Sequence, residues 1–591
     1  MTNGSYEFGP FRVDATERLL LRGGRSVPLK PKVFDLLLKL VANVGHVVMK
    51  DELMKEIWPD SFVEEHNLAV SISLLRMALG DDYRQPTFIE TVAKRGYRFV
   101  AAVKVISDEN TEMAGKWPRA TTTAPLSLTL PEMRSIAVFP FKNLSARAKN
   151  QYLGQGLADA LITRLSNLKQ VTVRPTSAVL KFAGKASVSA GRQLKVESIL
   201  DGSIQKWARQ IRVTVQHVRV RDEVILWAAQ FDEEFTNLFA VEDSISEQVA
   251  TALTGGLSDG QKGELKKRYT QNLAAYHAYL KGRYFLNKRS ADSFDKSIKY
   301  FSVAIEIDPN YALAYAGLAA CYNLLGGYTL SPPKEMARKA RAAALQALKL
   351  DYRLAEAHTV MGHIKMRYDW DWAGAEEEFK LAIEINRNCP SAHQVYALYL
   401  RTTGRLEESM KEIKQAQDLD PLSLVINSSL GALLYLARQY DEAIDQLKST
   451  IEMDGDFGSA HYLLGRSYMQ KGFQDQAMAE YQRAIELFGD SLESSAYLGH
   501  ALASSGRSAE AREVLSRLQE MDKRQHVSPY LIALIHTALG DIDSAFACLE
   551  RGFEEQDQEL GLLKMDPMLD RLREDSRFLN LLQRIGLTDQ H

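Results

Sequence analysis

The sequence predicts a multidomain chain: an N-terminal α+β module, a central α/β domain and a C-terminal all-α solenoid. Three observations predict it. The 591 residues exceed what one hydrophobic core serves, since domains run to roughly 100–200 residues. A turn signal recurs at fixed spacing through the second half, which marks stacked helix pairs. The first half instead breaks into short alternating runs, helical stretches and turn clusters, which mark mixed sheets and helices.

Composition narrows the class. Hydrophobic residues at 46% and charged residues at 25% fit a folded chain and exclude wholesale disorder. A formal charge of −2 excludes a chain that is basic throughout, while leaving room for a small basic module. Cys321, Cys389 and Cys548 are too few for a disulfide framework, and no CxxC pair occurs, so a reducing compartment is expected. Val33–Met49 is interrupted by Lys39 and Asn43, and Tyr530–Leu539 is too short for the ~20 residues a membrane span needs. Met1–Pro10 lacks the basic-then-apolar order of a secretory signal. A cytoplasmic protein with no membrane partner is expected.

In the front module, YEFG, FRVD, RLLLRGG and RSVPL over residues 5–29 predict a small antiparallel sheet. Pro31 opens a helix, KVFDLLLKLVANVG, with Phe34, Leu37, Leu38 and Val41 on one face. A second helix, KDELMKEIWP, stops at Pro59, and a third runs from about Glu64 to Leu79. FIETVAKRGYRFV over 88–100 reads as a hairpin with Lys94-Arg95-Gly96 at its tip. On the third helix Leu68, Ile72, Leu75 and Leu79 form a core stripe. The opposite face presents His66, Val70, Ser73, Leu74 and Met77, with Asn67 and Ser71 flanking and Arg76 at the edge.

Sheet, three helices and basic hairpin over residues 1–103 resemble the OmpR/PhoB-type winged helix, in its CadC-like branch. The resemblance rests on Trp58-Pro59, ISLLRMALGD at 72–81 and the ETVAKRGYRF hairpin. It implies that the third helix enters the major groove of double-stranded DNA and that the wing lies along the minor groove. The implied contacts are His66, Asn67, Val70, Ser71, Ser73, Leu74, Arg76, Thr91, Lys94, Arg95 and Arg98. The serines suit base edges or phosphate, Val70 and Leu74 suit thymine methyls, and the wing cations suit phosphates or a narrow groove. The reading face holds no arginine, so the common bidentate contact to guanine is missing there. The module's charge is near balance, so single-copy affinity is expected to be weak and a homodimer or tandem sites on DNA are expected. No receiver domain precedes the module, so any controlling input is expected from behind it.

Residues 104–133, polar and Thr/Pro-containing, read as a linker. Over 134–257, SIAVFPF, VTVRP, SILDGSIQKW, QIRVTVQHVRV and VILWAAQFDEEF read as strands, with QYLGQGLADALITRLSNL and VEDSISEQVATAL as helices. This is an α/β domain; it resembles the TolB amino-terminal-like domain, which implies no catalytic role. Gly154-Gln155-Gly156 opens a helix, but Asp159 occupies the third-glycine place of a dinucleotide fingerprint, so helix packing is the reading. Gly184-Lys185 lacks the remainder of a P-loop, and no HExxH, nucleophile elbow or kinase signature occurs. His358 and His363 lie five apart, off one helical face, and read as packing or groove residues. No enzymatic activity, metal or cofactor is expected.

The solenoid announces itself in AIEIDPN (304–310), ALKLDYR (347–353), AIEINRN (382–388), AQDLDPL (416–422), TIEMDGD (450–456), AIELFGD (484–490) and LQEMDKR (518–524). Positions 386, 420, 454, 488 and 522 keep a period of 34, and the 43-residue step from Asp308 to Asp351 places an insertion around Gly326–Pro333. First helices carry Met361-Gly362, Leu430-Gly431, Leu464-Gly465 and Leu498-Gly499; second helices carry Ala375, Ala443, Ala477, Ala511 and Ala545 where helices cross. This resembles the tetratricopeptide repeat, with about eight units over 273–560 and a capping segment over 561–591. The Asp566-Pro567 turn of that segment precedes an amphipathic helix placed to cover the last exposed face. In such an array the first helices line a groove, which implies a protein or peptide partner. The groove positions are Gln394, Leu398 and Arg401, then Tyr462, Arg466 and Met469, then Ala496 and His500.

The whole reads as a bacterial one-component DNA-binding transcriptional regulator in signal transduction, controlled by a partner on its repeat array. The alternative is a tetratricopeptide scaffold whose winged helix serves protein–protein contacts.

Overall fold

The computed structural model describes residues 5–15, 19–22, 25–27, 29, 31–57, 68, 71–72, 75–76, 78–81, 86–92, 95–106, 134–144, 151–168, 170–207, 210–234, 238–265, 267–288, 290–325, 333–488, 492–524 and 526–588. They belong to two compact units, Met1–Ser127 and Leu128–His591.

In the first unit, β1 (Ser5–Phe8), β2 (Phe11–Asp14), β3 (Leu19–Arg22) and β4 (Arg25–Val27) form an antiparallel meander. Tyr6, Phe8, Phe11, Val13 and Leu20 alternate into the core, which is the period a half-buried sheet requires. The helix Pro31–Ala42 buries Val33, Phe34, Leu36, Leu37, Leu40 and Val41. A three-residue strand that the sequence pattern does not announce, β5 (Val47–Met49), precedes the helix Lys50–Ile57. It pairs with the wing, in the order β5-β7-β6, where β6 is Ile89–Val92 and β7 is Gly96–Phe99. A second difference concerns the linker: β8 (Lys104–Ile106) pairs antiparallel with β1 and belongs to the first sheet. Leu68, Ile72, Leu75 and Leu79 are helical and buried, the expected core stripe of the third helix. Trp58 and Pro59 lie outside the described residues.

The second unit opens with β9 (Ser135–Val138), β10 (Lys142–Asn143), β11 (Thr172–Val173), β12 (Ser198–Trp207), β13 (Gln210–Arg219) and β14 (Ile225–Glu234). The order is β11-β9-β12-β13-β14, with β10 beside β12. β9 runs parallel to β11 and β12, whereas β12, β13 and β14 form an antiparallel ribbon. The helices Gln151–Leu165 and Leu238–Thr254 pack on the sheet, over inward residues such as Ile211, Val213 and Val215. Two short helices, Thr176–Leu180 and Ser187–Gln193, are not legible as helices in the sequence. Gly154 and Gly156 serve packing, as expected. A Cβ on Gly154 would stand 2.0 Å from the Phe141 carbonyl oxygen, and one on Gly156 would stand 3.0 Å from Leu280.

Eight helix pairs follow among the described residues, from Leu273–Leu286 with Ala291–Ile307 to Pro529–Leu539 with Ile542–Glu554. The glycines of the first helices are seats for large side chains of the second. A Cβ on Gly362 would meet Phe379 at 2.6 Å, one on Gly431 would meet Leu447 at 2.6 Å, and one on Gly465 would meet Tyr481 at 2.7 Å. Ala375, Ala443, Ala477, Ala511 and Ala545 are all fully buried at helix crossings. From Asp351 to Asn386 the step is 35 residues, one more than the later period. A π-helical turn, Lys365–Asp369, follows Ala355–Ile364 and takes up the extra residue. Left-handed Trp370 ends it before Asp371 caps the next helix.

A polar clasp repeats with the array. His358, His393 and His461 each place Nδ1 2.6 Å from a carboxylate, of Glu378, Glu412 and Glu480. Each directs Nε2 at a backbone carbonyl, of Tyr352, Arg387 and Gly455, at 2.7 to 3.1 Å. Each ring thus bridges a second-helix carboxylate on one side and a turn carbonyl on the other, and both ring nitrogens are matched. Asn427, one period after His393, does the same work with an amide. It donates to the Pro421 carbonyl at 3.0 Å and accepts from Gln446 at 3.1 Å.

The α/β domain and the first helix pairs share one continuous apolar core, from Ile136 through Phe301 to Met336. Buried ion pairs fix their register. Arg283 donates to Asp159 at 2.9 Å and to Glu356 at 2.8 Å, and Thr176 donates to the same Asp159 at 2.5 Å. Glu242 accepts from the Tyr276 hydroxyl at 2.5 Å and pairs with Arg164 at 3.3 Å. Farther along, the Val173 N–H donates to Asn388 Oδ1 at 3.2 Å, and Asn388 Nδ2 donates to the Val171 carbonyl at 2.9 Å. The side-chain amide thereby takes the place of a strand beside β11. Arg174 donates to the carbonyls of Asp418 and Leu419, and Ser177 donates to Asp420 at 2.5 Å. The turns that set the repeat period around 388 and 420 therefore face the α/β domain.

Two predictions follow from these contacts. His393→Ala strands the Glu412 carboxylate and the Arg387 carbonyl, at a cost of about 1–3 kcal/mol in urea unfolding. His393→Asn with Glu412→Gln copies the Asn427 clasp and is expected to recover most of that loss; equal losses in the two variants would refute the clasp. The second concerns Glu242, whose carboxyl is pushed up to about 7 by burial. It holds its proton more tightly folded than unfolded, so its contribution to stability falls as pH rises from about 4.5 to about 7. Glu242→Gln should remove that decline, read as a wild-type-minus-variant difference in thermal midpoint that shifts against the wild type between about pH 5 and 7.5.

Candidate nucleic-acid interface and repeat groove

The wing is held by contacts that the sequence pattern does not reveal. A Cβ on Gly96 would lie 1.9 Å from the Val48 carbonyl oxygen, so only glycine lets β7 approach β5 this closely. The Lys50 N–H donates to the Arg95 carbonyl at 3.1 Å and locks the tip. Asp81, just past the third helix, accepts from the N–H groups of Thr87, Phe88 and Ile89 at 2.6, 3.1 and 2.8 Å. Arg76 donates to the Ile89 carbonyl and to Thr91 Oγ1, both at 2.8 Å. Helix and wing are therefore one rigid piece, and Arg76 and Thr91 are spent on each other.

This geometry sorts the expected DNA contacts. Arg95 is exposed at the tip. Arg98 is half-exposed and 3.5 Å from Glu90, which offsets part of its charge. Ser71 is a correction: it is buried among the core stripe, because three residues after Leu68 and four before Leu75 is the inward face of a helix. Arg76 is likewise a brace between helix and wing. His66, Asn67, Val70, Ser73, Leu74 and Lys94 lie outside the described residues.

The groove residues come together in the second unit, but around the chain's own C-terminal segment. Short 3-10 turns, Gln558–Leu562 and Pro567–Leu572, run along the first helices before the helix Ser576–Ile585. Asp566, fully buried, takes Arg466 Nη2 at 2.6 Å and the hydroxyls of Tyr530 at 2.7 Å and Tyr435 at 3.3 Å. Arg466 is further sandwiched by Tyr435 and Tyr497, 4.4 and 4.8 Å from the ring centroids. Glu559 pairs with Arg367 at 2.9 Å, Lys564 reaches the Thr403 carbonyl at 3.1 Å, and Trp372 Nε1 donates to the Ile585 carbonyl at 2.7 Å. Leu560, Leu563, Leu569 and Leu572 are buried with the repeats in one core. At ~1.5–3 kcal/mol per buried side chain, that apolar burial rivals the ~8 kcal/mol of a micromolar ligand. The sequence leads one to expect that the segment covers only the last face. Its helix does so, through Arg577 to Asp543 and Arg584 to Glu550, while the preceding turns fill the groove.

Of the expected groove residues, Arg466 and His500 are buried, and burial pushes the His500 imidazole down to about 4. Tyr462 stacks on Tyr497 with centroids 5.6 Å apart, and Met469 packs against the same core. Gln394 donates to Ser429 at 3.1 Å, and Leu398 is half-buried. Arg401 is half-buried with its Nε unmatched. Burial, aided by Arg466 and Arg367, pushes its guanidinium down to about 10. Among the described residues no group of three or more His, Cys, Asp or Glu is placed to hold a metal, and no helix is long and apolar enough to cross a membrane.

Comparison with known proteins agrees segment by segment. Residues 24–99 match the family described as transcriptional regulatory protein, C terminal. Residues 132–248 match the second domain of HilA/YgeH-like transcriptional regulators, a more specific likeness than the TolB-type one. Residues 430–491 and 462–526 match the tetratricopeptide repeat. The transcriptional regulator HilA of Salmonella typhimurium is 23% identical over 455 residues, covering 76% of this chain and 77% of its own. The transcriptional activator CadC of Escherichia coli is 37% identical over 105 residues, covering 18% of this chain and 20% of its own. A putative adenylate cyclase 3 of Rhizobium meliloti is 25% identical over 302 residues, covering 49% of this chain and 50% of its own. The chain thus carries an OmpR/PhoB-type winged helix, a HilA/YgeH-like second domain and C-terminal tetratricopeptide repeats.

The segment in the groove is testable directly. Asp566→Ala leaves Arg466 buried without its counter-charge, and a loss of about 3–5 kcal/mol in denaturant unfolding is expected. An unchanged midpoint would remove the segment from the account of stability.

Proposed function

We propose that this chain, built from an OmpR/PhoB-type winged helix, a HilA/YgeH-like second domain and tetratricopeptide repeats, is a DNA-binding transcriptional regulator of the HilA/CadC type whose second unit receives the controlling signal from a protein or peptide. The observation that carries the reading is the rigid pairing of third helix and wing, with Arg95 exposed at a tip pinned by Gly96 and Lys50. A pre-formed basic tip beside a helix with a buried inner stripe is what simultaneous contact with groove and phosphates needs. The α/β domain is assigned no chemistry, because its buried charges answer one another: Asp159 to Arg283, Glu242 to Arg164. A partner on the array meets a groove already occupied by the C-terminal segment, whose contacts run from Arg367 and Thr403 to Arg466. The expected positions left beside that segment are the half-buried Gln394 and Leu398. A bacterial regulator that works on DNA works in the cytoplasm.

The test is a gel-shift series on random-sequence duplex across salt. Binding is expected to weaken steeply as salt rises. Lys94→Ala with Arg95→Ala should weaken it on every sequence and flatten the log–log salt slope by about two, at ~0.9 per phosphate contact. Binding that ignores salt, or a double variant with an unchanged slope, would overturn the reading.

A further inference from the structure

The sheet of the α/β domain has two edges, and they are treated differently. At β11 the edge is two residues long and its backbone is satisfied by Asn388. At β14 the edge is ten residues long, and β13 is its only neighbour among the described strands. Natural sheets protect such an edge with lysine, proline, a bulge or a covering element. Ile225–Phe231 reads ILWAAQF, with no charge, proline or glycine; the strand's guards are confined to its ends, a register shift at Leu226 and the acids Asp232, Glu233 and Glu234. Ile225 is 55% exposed, and Trp227, Ala229 and Phe231 are only half-buried although they pack against the domain core. Their cross-strand partners on β13 are fully buried: Val213 opposite Phe231, Val215 opposite Ala229 and His217 opposite Trp227. The core face therefore runs out at β14 with two aromatic rings partly in water.

The geometry points to a second copy of this chain as the occupant, paired β14 to β14 antiparallel about a two-fold axis at Ala229. Residues opposite each other in an antiparallel pair share a face, so the positions must sum to an even number. Centring on Ala229 sets Trp227 against Phe231 of the second copy, twice, and completes the cover each aromatic lacks. Aromatic cross-strand pairs are among the stabilising ones. The same register places Ala228 opposite Gln230 and carries Asp232 to the register shift at Leu226, so no acid faces an acid. A parallel arrangement would instead stack Asp232 on Asp232, which like-charge pairing disfavours. The contact is isologous and closes after two copies. It joins two antiparallel ribbons into one sheet, and it supplies two DNA-binding modules to a single assembly. That last consequence rests on the DNA reading above, whereas the pairing itself does not.

Ala228 and Gln230 are both exposed, so their variants leave the fold intact while reporting on register. The chain is expected to sediment as a dimer in the absence of DNA. Ala228→Lys with Gln230→Lys opposes like charges twice and should raise the dimer dissociation constant at least tenfold. Ala228→Lys with Gln230→Glu opposes unlike charges in the same register and should restore the wild-type value or better. A separate Ala229→Cys variant should give a covalent dimer under mild oxidation. A monomeric wild type, or the two charge variants behaving alike, would overturn the proposal. Since no DNA is present, its failure would leave the gel-shift result standing, and the reverse.

Discussion

No helix pair in this array can bury its own apolar face, and most of the second unit is an answer to that constraint. Each interior pair is covered by its neighbours, through glycine seats filled by Phe379, Leu447 or Tyr481. The ends need other devices. The first pair gives its exposed side to the α/β domain, and the two share a core that runs from Ile136 to Met336. The last pair receives the helix Ser576–Ile585. The inner side, lined by first helices, takes the turns that carry Leu560, Leu563, Leu569 and Leu572. The result is an array closed at both ends and partly from within, with Trp372 of the third pair bonded to the Ile585 carbonyl near the chain's end.

Burying so much surface brings charge inside, and the charges specify arrangement more than they add stability. An ion pair taken out of water gains little net free energy, but losing one member is costly, so each pair permits one docking and penalises the rest. Arg283 selects the position of the α/β domain because both Asp159 and Glu356 must meet it. Arg466 selects the position of the groove segment because Asp566 alone answers it among two tyrosine faces. The His–Glu clasps play this part inside the array, each binding a turn carbonyl to the following second helix. Their spacing means that a slipped helix would leave a carboxylate and a carbonyl unmatched at once.

Regular features are legible in the sequence because they repeat or alternate: the 34-residue period, the alanines at crossings, the alternation in β1 to β4, and the stripe Leu68, Ile72, Leu75 and Leu79. Features that depend on partners distant along the chain are not. Nothing local marks Asn388 as an edge strand's substitute 215 residues from Val173, or Asp566 as the counter-charge of Arg466 100 residues away. β5 escapes because three residues are too few to alternate visibly, and β8 because its partner is the first strand of the chain. Two signals stand in the sequence without stating their meaning. The 35-residue step after Asp351 marks the π-helical turn, and histidines at 393 and 461 with asparagine midway at 427 mark the clasp. Ser71 belongs to the inward stripe by spacing alone. Of the expected DNA-contact residues the structure describes, Arg95 is exposed and Arg98 half-exposed beside Glu90, whereas Arg76 and Thr91 hold the wing to the helix.

That division of roles bears on how a module of near-balanced charge holds DNA. Arg76 spends its charge inside the protein, and Arg98 shares its own with Glu90. Sequence-independent binding is set largely by the number of phosphates neutralised, so every cation diverted inward weakens it. What the module retains is stiffness: Gly96 against Val48, Asp81 holding three successive N–H groups, and the Arg76 bridge leave helix and wing little freedom to lose on binding. Pre-organisation reduces the ordering cost of association but does not replace missing charge. Two modules tethered in one assembly recover the deficit by effective concentration, without any new contact to DNA. A winged helix of near-balanced charge and a ten-residue sheet edge with an uncharged apolar centre in the same chain are therefore complementary features. Under the proposed pairing, the second would bring to the first the neighbouring copy that compensates its charge balance.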